Sequence, residues 1–428
     1  MAVVDVSLFT GIFLLFTLAY VIALVYVALL ERVRSRNEGV AQDHAFSLLV
    51  PARNEAAVIA FCLERLLALD YPSDRFEIVV VDDGSDDATG KIVAEAAAAH
   101  PGRVHVVRIP PTESGRGKAS ALNMGYQFLR ATSRFRERPD WIVGVFDADG
   151  SPDADMLSKA SFQFRSPRVG GIQATVRIRN RDVSWLTRMQ DIEFAGFARM
   201  TQLIRTRITR SASLGGNGQF VRAAALEECA LERPNGTYWN PEALTEDLEL
   251  ASRLALRNWD MQQLNTAKVW QEGVENLGAL MTQRTRWAWG SLQVFLEYVV
   301  RLRVFTTPGV RLRKRLDLLF NLSMFLISPL VMITWIISAI SFLGLISVAS
   351  GFPAPVMILL SIGYFPVVGY GLLTVEGYRR RTLPADLLGF ALYTYHWVPC
   401  LYLGLWHVMA RHVPVWWKTT RFARHPAG

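Results

Sequence analysis

Cysteine is scarce in this chain. Only Cys62, Cys229 and Cys400 occur, with no Cys-x-x-Cys and no His–Cys spacing. That excludes a disulfide framework and a zinc site, and suits a reducing compartment. Each cysteine reads as a small buried apolar residue rather than a nucleophile. Internal repeats and low-complexity tracts are also missing, so no repeat architecture is expected. The stretch Gly115-Arg116-Gly117-Lys118-Ala119 has the look of a phosphate loop but lacks its leading glycine, and Ala119 stands where the hydroxyl residue belongs. A P-loop NTPase is thereby excluded. Asp147, Asp149, Ser151, Asp153 and Asp155 alternate as in a calcium loop, yet Pro152 takes the glycine position and Ser158 the glutamate position. No acidic pair lies inside an apolar segment, since Glu376 and Asp386 sit at segment ends, which argues against a transporter.

What the chain does have is apolar surplus. Of its 428 residues 51% are hydrophobic, mean hydropathy is +0.20, and the excess gathers at the two ends. The net charge of +8 accumulates beside those hydrophobic segments, so an anionic lipid surface explains it better than nucleic acid does. Residues 8–30 are uncharged and long enough to span a bilayer, without a basic leader or a cleavage site, so residues 1–33 are expected to be an anchor. Arg32, Arg34 and Arg36 follow and place the next segment in the cytosol. Residues 287–302 are amphipathic and aromatic, and Arg301, Arg303, Arg311, Arg313, Lys314 and Arg315 come with or after them. Residues 287–315 are therefore expected to form an interfacial helix and a basic linker. Apolar segments at 316–348, 356–375 and 387–410 make residues 316–412 a membrane region ahead of a basic cytosolic tail at 413–428. Arg379, Arg380 and Arg381 and that tail both belong on the cytosolic side, so 387–410 cannot cross once between them; a hairpin broken near Pro399 is expected.

Between these ends lies an alternating pattern. Residues 46–50, 77–81, 104–108 and 141–146 read as buried strands rich in Val and Ile, with helices at 56–69 and 87–99. Such alternation predicts an α/β domain on a mostly parallel sheet, with ligands at the carboxyl ends of the strands. Two acid clusters stand at such ends. Asp82 and Asp83 close one strand, where carboxylates accept from a base imino group and ribose hydroxyls, although Ser85 or Asp86 also suits a helix N-cap. Asp147 and Asp149 close another, spaced to converge on Mg²⁺ or Mn²⁺ beside a pyrophosphate that Lys118 also reaches. Thr245-Glu246-Asp247 precedes an amphipathic helix, so Thr245 is a candidate cap and one of the two acids a candidate general base. Gln283-Arg284-Thr285-Arg286-Trp287 adds a guanidinium for phosphates and an indole face for a sugar ring, with an interfacial anchor as the competing reading.

In this order the residues resemble the membrane-bound family 2 glycosyltransferases, the group that contains cellulose, hyaluronan and chitin-oligosaccharide synthases. The resemblance spans residues 46–290 and rests on Pro51-Ala52-Arg53-Asn54-Glu55, Asp82-Asp83, Lys118 with Asn123, Asp147-x-Asp149, Thr245-Glu246-Asp247 and Gln283-x-x-Arg286-Trp287. It implies a GT-A-type nucleotide-sugar-binding domain over 45–286. It further implies uridine contacts from Glu55 and Asp83, a donor site that includes Pro51, Arg53, Asp82, Lys118, Asp147 and Arg286, and a metal at Asp149 with Asp147. Asp247 is the implied base, with Glu246 next to it; Gln283 and Trp287 are implied at the acceptor. The stretch Leu214-Gly215-Gly216-Asn217-Gly218 departs from the polysaccharide synthases and looks more like β-monoglucosyldiacylglycerol synthases, which adds Gly216 and Asn217 to the acceptor side. The resulting expectation is an inverting, inner-membrane, multi-pass enzyme with its catalytic domain in the cytosol. It moves a hexose from a UDP-sugar to a membrane lipid such as diacylglycerol, with a processive polysaccharide synthase or a non-catalytic assembly subunit as alternatives.

Overall fold

In a computed structural model the described residues are 39–233, 236–324, 365–375 and 378–412, with isolated positions at 3–5, 22, 26, 340, 343–345 and 347–349. The core is a sheet of eight strands: β1 (Ala45–Ala52), β2 (Phe76–Asp82), β3 (Val104–Arg108), β4 (Trp141–Val145), β5 (Ser151–Pro152), β6 (Val169–Ile178), β7 (Gln219–Arg222) and β8 (Asp260–Gln271). Their order is β3-β2-β1-β4-β7-β6-β8-β5. Side chains alternate across a strand, and here both faces are covered. Leu49, Val79, Val81, Val143 and Val145 pack on one side with helix α3 (Lys118–Thr132) and α8 (Glu246–Leu256). Leu48, Val50, Ile78, Val80 and Ile142 pack on the other with α1 (Ile59–Leu67), α2 (Thr89–Ala99) and α4 (Met156–Phe164). The four strands read from sequence therefore appear within a residue or two of the expected bounds.

The sheet is mixed rather than mostly parallel. Strands β3, β2, β1 and β4 run parallel, but β7 is antiparallel to both β4 and β6, and β5 is antiparallel to β8. Gly215, Gly216 and Gly218 lead into β7 and suppress the apolar, β-branched signature that would have revealed it.

A long helical excursion then crosses the strand ends. Helix α5 (Trp185–Ile192) starts with a capping box between Ser184 and Thr187, widens into a π-turn at Glu193–Ala198, and continues as α6 (Arg199–Ile208). After β8, Asn276 caps α9 (Leu277–Phe295), its side chain accepting from Gly278 N at 2.8 Å and Ala279 N at 3.2 Å.

Three expectations change here. A boundary between 286 and 287 falls inside α9, which runs on through a π-turn to Val300. Residues 287–302 do not lay an apolar face on a bilayer. Ala288, Trp289, Leu292, Val294 and Tyr298 are buried, partly under a C-terminal helix, and only residues near the end such as Val300 and Leu302 are exposed. The basic linker is also less superficial than its composition suggests. Lys314 lies in α10 (Leu312–Ser323) with a fully buried side chain, its ammonium donating to Trp259 O at 2.6 Å and Arg210 O at 2.9 Å. Arg315 donates to the carbonyls of Val304, Phe305 and Thr307.

Of the membrane segments, 8–30 lies outside the described residues except for Ile22 and Tyr26, as do most of 316–348 and the start of 356–375. Among the described residues no helix is long and apolar enough to cross a membrane. Residues 383–409 form two successive helices, α12 (Leu383–Thr394) and α13 (Trp397–Met409), joined at Tyr395–His396. Both linking residues keep right-handed helical dihedrals, so the chain bends between the helices and does not fold them onto each other as the expected hairpin would. Pro399 sits in the first turn of α13, where its missing N–H costs no helical bond. Helix α13 packs on α9, with Gly404 against the Trp289 backbone and the Trp289 and His407 rings stacked at 4.5 Å. The helix pair leaves Leu388, Leu392, Trp406 and Met409 more than half exposed.

Lys314 yields a direct test. Removing it leaves two buried carbonyls without their charged donor, so Lys314→Ala should cost about 2–4 kcal/mol of stability in denaturant unfolding, with unchanged vesicle binding. Unchanged stability with weakened vesicle binding would restore the surface role that its basic neighbours suggest.

Candidate active site

Thirteen of the fifteen site residues that the resemblance implies come together on one cleft at the carboxyl ends of β1, β2 and β4. Pro51, Arg53, Glu55 and Asp83 form one end. The turn after β1 is held to the turn after β2 from both sides. Asn54 adopts φ +54°, its amide donates to Ser85 Oγ at 3.0 Å, and its own Oδ1 accepts from Asp86 N at 2.9 Å. Glu55 N donates to Thr89 Oγ1 at 2.7 Å. Asp83 Oδ1 accepts from Gly115 N at 2.9 Å, and Oδ2 lies 3.8 Å from Arg53 Nη1; burial raises its pKa.

Asp82 is not part of this wall. Adjacent strand residues point to opposite faces, and its carboxylate turns away to accept from Ser85 N at 3.0 Å and to face Arg108 Nε at 3.4 Å. Its role is to fix the turn that presents Asp83.

The middle of the cleft is acidic. Asp147 follows β4, and its Oδ1 is 2.5 Å from Lys118 Nζ at the first position of α3. The same ammonium is 3.8 Å from Glu246 Oε1. Lys118 is thus neither a solvated lysine nor a cation projecting alone toward a donor. Its side chain is only 13% exposed; burial pulls its pKa down, but Asp147 and Glu246 together push it above the ordinary value, so it stays charged. Asn217 also departs from expectation. It is buried beneath the acids, where Oδ1 accepts from Asp147 N at 3.2 Å and Nδ2 donates to Gln271 Oε1 at 3.0 Å. It positions Asp147 and does not face an acceptor, whereas Gly216, at φ +79°, does line the cleft.

Asp149 lies beside Asp147, with Oδ2 accepting from Glu272 N at 3.0 Å. Among the described residues no three His, Cys, Asp or Glu side chains form a group able to hold a metal by themselves. Two carboxylates on an open cleft nevertheless fit Mg²⁺ or Mn²⁺, which bind through one or two carboxylates and take remaining oxygens from phosphate and water. Asp147 and Asp149 would hold the ion.

Glu246 and Asp247 begin α8. Thr245 occupies the N-cap position but does not cap: Oγ1 has no hydrogen-bond partner among the described residues. The two acids separate by accessibility. Glu246 is 5% exposed and turned to Lys118. Asp247 is less enclosed: Oδ1 accepts from Leu248 N at 2.7 Å, and Oδ2 lies beside Gly216. Burial raises both pKa values, Glu246 to about 7 with repulsion from Asp247 adding to it, while Lys118 and Arg286 oppose the rise.

On α9, Gln283, Arg286 and Trp287 share the face toward the cleft, as i, i+3 and i+4 spacing requires. The helix also holds the turn that bears Asp247 directly. A side chain at Gly290 would come within 2.6 Å of Thr245 Cγ2 and 2.9 Å of its amide nitrogen, and Gln293 Oε1 accepts from Leu244 N at 3.1 Å. Sequence reasoning missed Phe194 and Gln271, which also line the cleft. Phe194 comes from a π-turn, for which no sequence period exists; Gln271 ends a strand that was not recognised.

The chain is 38% identical over 284 residues to a β-monoglucosyldiacylglycerol synthase of Synechocystis sp., an alignment that covers 66% of this chain and 54% of that one. It is 30% identical over 263 residues to a poly-β-1,6-N-acetyl-D-glucosamine synthase of Staphylococcus epidermidis, covering 60% and 56%. The chain spans about half the length of these curated relatives, 54% and 56%. Its GT-A-like fold is shared with the mannosyltransferase PcManGT from Pyrobaculum calidifontis, solved in complex with GDP-Man and Mn²⁺. The TM-score is 0.55 at 22% identity, over 90% of this chain and 99% of that one. Residues 44–290 match the family described as "Glycosyltransferase like family 2", and the chain belongs to that family.

Proposed function

We propose that the chain is an inverting hexosyltransferase that takes glucose or N-acetylglucosamine from a UDP-sugar and attaches it in β-linkage to an acceptor at a membrane surface, with diacylglycerol as the lead acceptor. The carrying observation is the placement of Asp247: a cleft-facing carboxylate across from the Asp83, Asp147 and Asp149 acids, with Arg286 close enough to act on its charge. The name of the Synechocystis relative supports the lipid acceptor.

In this reading Glu55 and Asp83 receive the uridine, and Arg53 lies beside them. The acceptor hydroxyl gives its proton to Asp247. Its oxygen bonds to the anomeric carbon as the bond to the diphosphate oxygen breaks, the electron pair leaving with UDP. Because donor sugars of this type are α-linked and attack is in line, the product is β. Arg286 offers a permanently charged guanidinium to the departing diphosphate. A divalent ion on Asp147 and Asp149, when bound, neutralises the same charge. Lys118 balances Asp147 and Glu246, so that Asp247 can be ionised among other acids.

The membrane location rests on two features. Arg32, Arg34 and Arg36 follow an apolar run, which favours a cytosolic catalytic domain at a bacterial-type inner membrane. The α12–α13 helix pair presents Leu388, Leu392, Trp406 and Met409 outward, exposed apolar side chains suited to a bilayer. The processive alternative has the N-acetylglucosamine polymer synthase as its support.

The full chain should be incubated with labelled UDP-glucose or UDP-N-acetylglucosamine and vesicles containing diacylglycerol. Chromatography then separates organic-soluble glycolipid from immobile polymer. Glycolipid is expected, and excess chelator should suppress it; polymer alone would reject the lipid reading. Asp247→Asn should lower turnover by about 10²–10⁴-fold with UDP binding retained, and normal turnover would move the base elsewhere. Gly290→Ala pushes α9 off Thr245, and an ångström of misplacement costs up to about 10²-fold. Its turnover should fall while UDP binding persists; full turnover would show that this close approach does not position the base.

A further inference from the structure

Arg284 sits inside the Gln283–Trp287 motif but points away from the cleft, and its side chain is fully buried. A buried guanidinium needs strong partners. One is Glu193, whose Oε2 lies 2.6 Å from Arg284 Nη2. Arg284 Nε and Nη1 have no hydrogen-bond partner among the described residues. Aromatic faces surround the guanidinium instead, with its Cζ 4.0 Å from the centroid of Trp287, 5.4 Å from Trp397 and 5.8 Å from Phe194.

Glu193 in turn accepts from two groups where α12 meets α13: Trp397 Nε1 at 3.0 Å and Tyr393 Oη at 3.0 Å. Three elements therefore meet at one ion pair. The π-turn supplies Glu193 and Phe194, α9 supplies Arg284 and Trp287, and the α12–α13 helix pair supplies Tyr393 and Trp397. π-turns recur at functional sites. Here the turn places Glu193 in the node and the adjacent Phe194 on the cleft wall, where Trp287 also stands, their rings edge to face at 6.4 Å. The helix pair is also held near the start of α12 by Arg188, paired with Asp386 at 2.7 Å.

We propose that Glu193 and Arg284 form a positioning node through which the α12–α13 helix pair sets the aromatic wall of Phe194 and Trp287, so that acceptor engagement depends on how that pair is seated. This deepens the reading above and rests on its assignment of that wall to the acceptor. Neither Glu193 nor Arg284 touches substrate. They act by fixing the ring planes, and the helix pair that holds them also carries the outward apolar residues.

The test is the double substitution Tyr393→Phe with Trp397→Phe in the full chain. It keeps an aromatic ring at each position and removes the two donors of the helix pair to Glu193. Diacylglycerol in phosphatidylglycerol vesicles and UDP-glucose serve as substrates, and UDP binding is measured by calorimetry. The apparent KM for diacylglycerol should rise on the order of tenfold, equivalent to about 1.4 kcal/mol, with UDP affinity and the melting temperature nearly unchanged. Trp287→Ala is the control on the wall itself and should raise the same KM. If Trp287→Ala raises it and the double variant does not, the node is refuted while the acceptor assignment stands. If Trp287→Ala weakens UDP binding and leaves the diacylglycerol KM alone, the wall belongs to the donor and the proposal falls with that assignment. Equal loss for both substrates together with a lower melting temperature in the double variant would reduce the node to a fold contact and refute it.

Discussion

The site depends on one ammonium. Lys118 Nζ stands 2.5 Å from Asp147 and 3.8 Å from Glu246, groups that belong to opposite sides of the cleft. Asp147 and Asp149 follow β4, whereas Glu246 and Asp247 begin α8. Four carboxyl groups packed without a cation would take up protons, because burial and mutual repulsion both favour the neutral form. Lys118 lies at the first turn of α3, after Gly117 at φ +95°, and so enters the cleft between the two acid pairs. Its charge lets the acids share a small, half-dry space.

Helix α9 supplies the second constraint. Its cleft face carries Gln283, Arg286 and Trp287, Gly290 and Gln293 hold the turn bearing Asp247, and Arg284 reaches Tyr393 of the α12–α13 helix pair from its far side. A single helix thus sets the distance between the Asp247 turn, the Arg286 guanidinium and the Trp287 indole, which a set of loops would hold less firmly.

Much of this was legible before the structure. Strands buried on both faces announce themselves as Val and Ile runs, and acids at their ends mark the ligand side. Alternation alone distinguishes Asp83 from Asp82, so that error was avoidable in principle. Asn217 was not: its carboxamide faces Asp147 only because β7 inserts next to β4, a pairing hidden by glycines. Lys314 looked like one of a basic series, and only the tertiary approach of the Trp259 and Arg210 carbonyls makes it a buried clamp. The amphipathic pattern of 287–302 was real, but the apolar face is covered by α13 and the domain core, and the outward apolar residues are found on the α12–α13 helix pair. Periodicity reports that a face is buried; it does not report what buries it.

The central claim is that Glu246 and Asp247 titrate as a pair whose charge Lys118 offsets. Glu246 is raised to about 7 and Asp247 is raised above its ordinary value, burial being the main cause for both and mutual repulsion adding to it for Glu246. The proposed base, Asp247, must be ionised, so turnover should rise as pH climbs through its raised pKa, above the ordinary carboxylate range. Lys118→Met removes the ammonium that opposes the rise in the Asp247 pKa, which makes Asp247 harder to ionise. The decisive measurement is the pH dependence of kcat for this variant beside the native enzyme. The acid limb is expected to move to higher pH in the variant. A limb that stays in place, or moves to lower pH, would contradict the role given to Lys118.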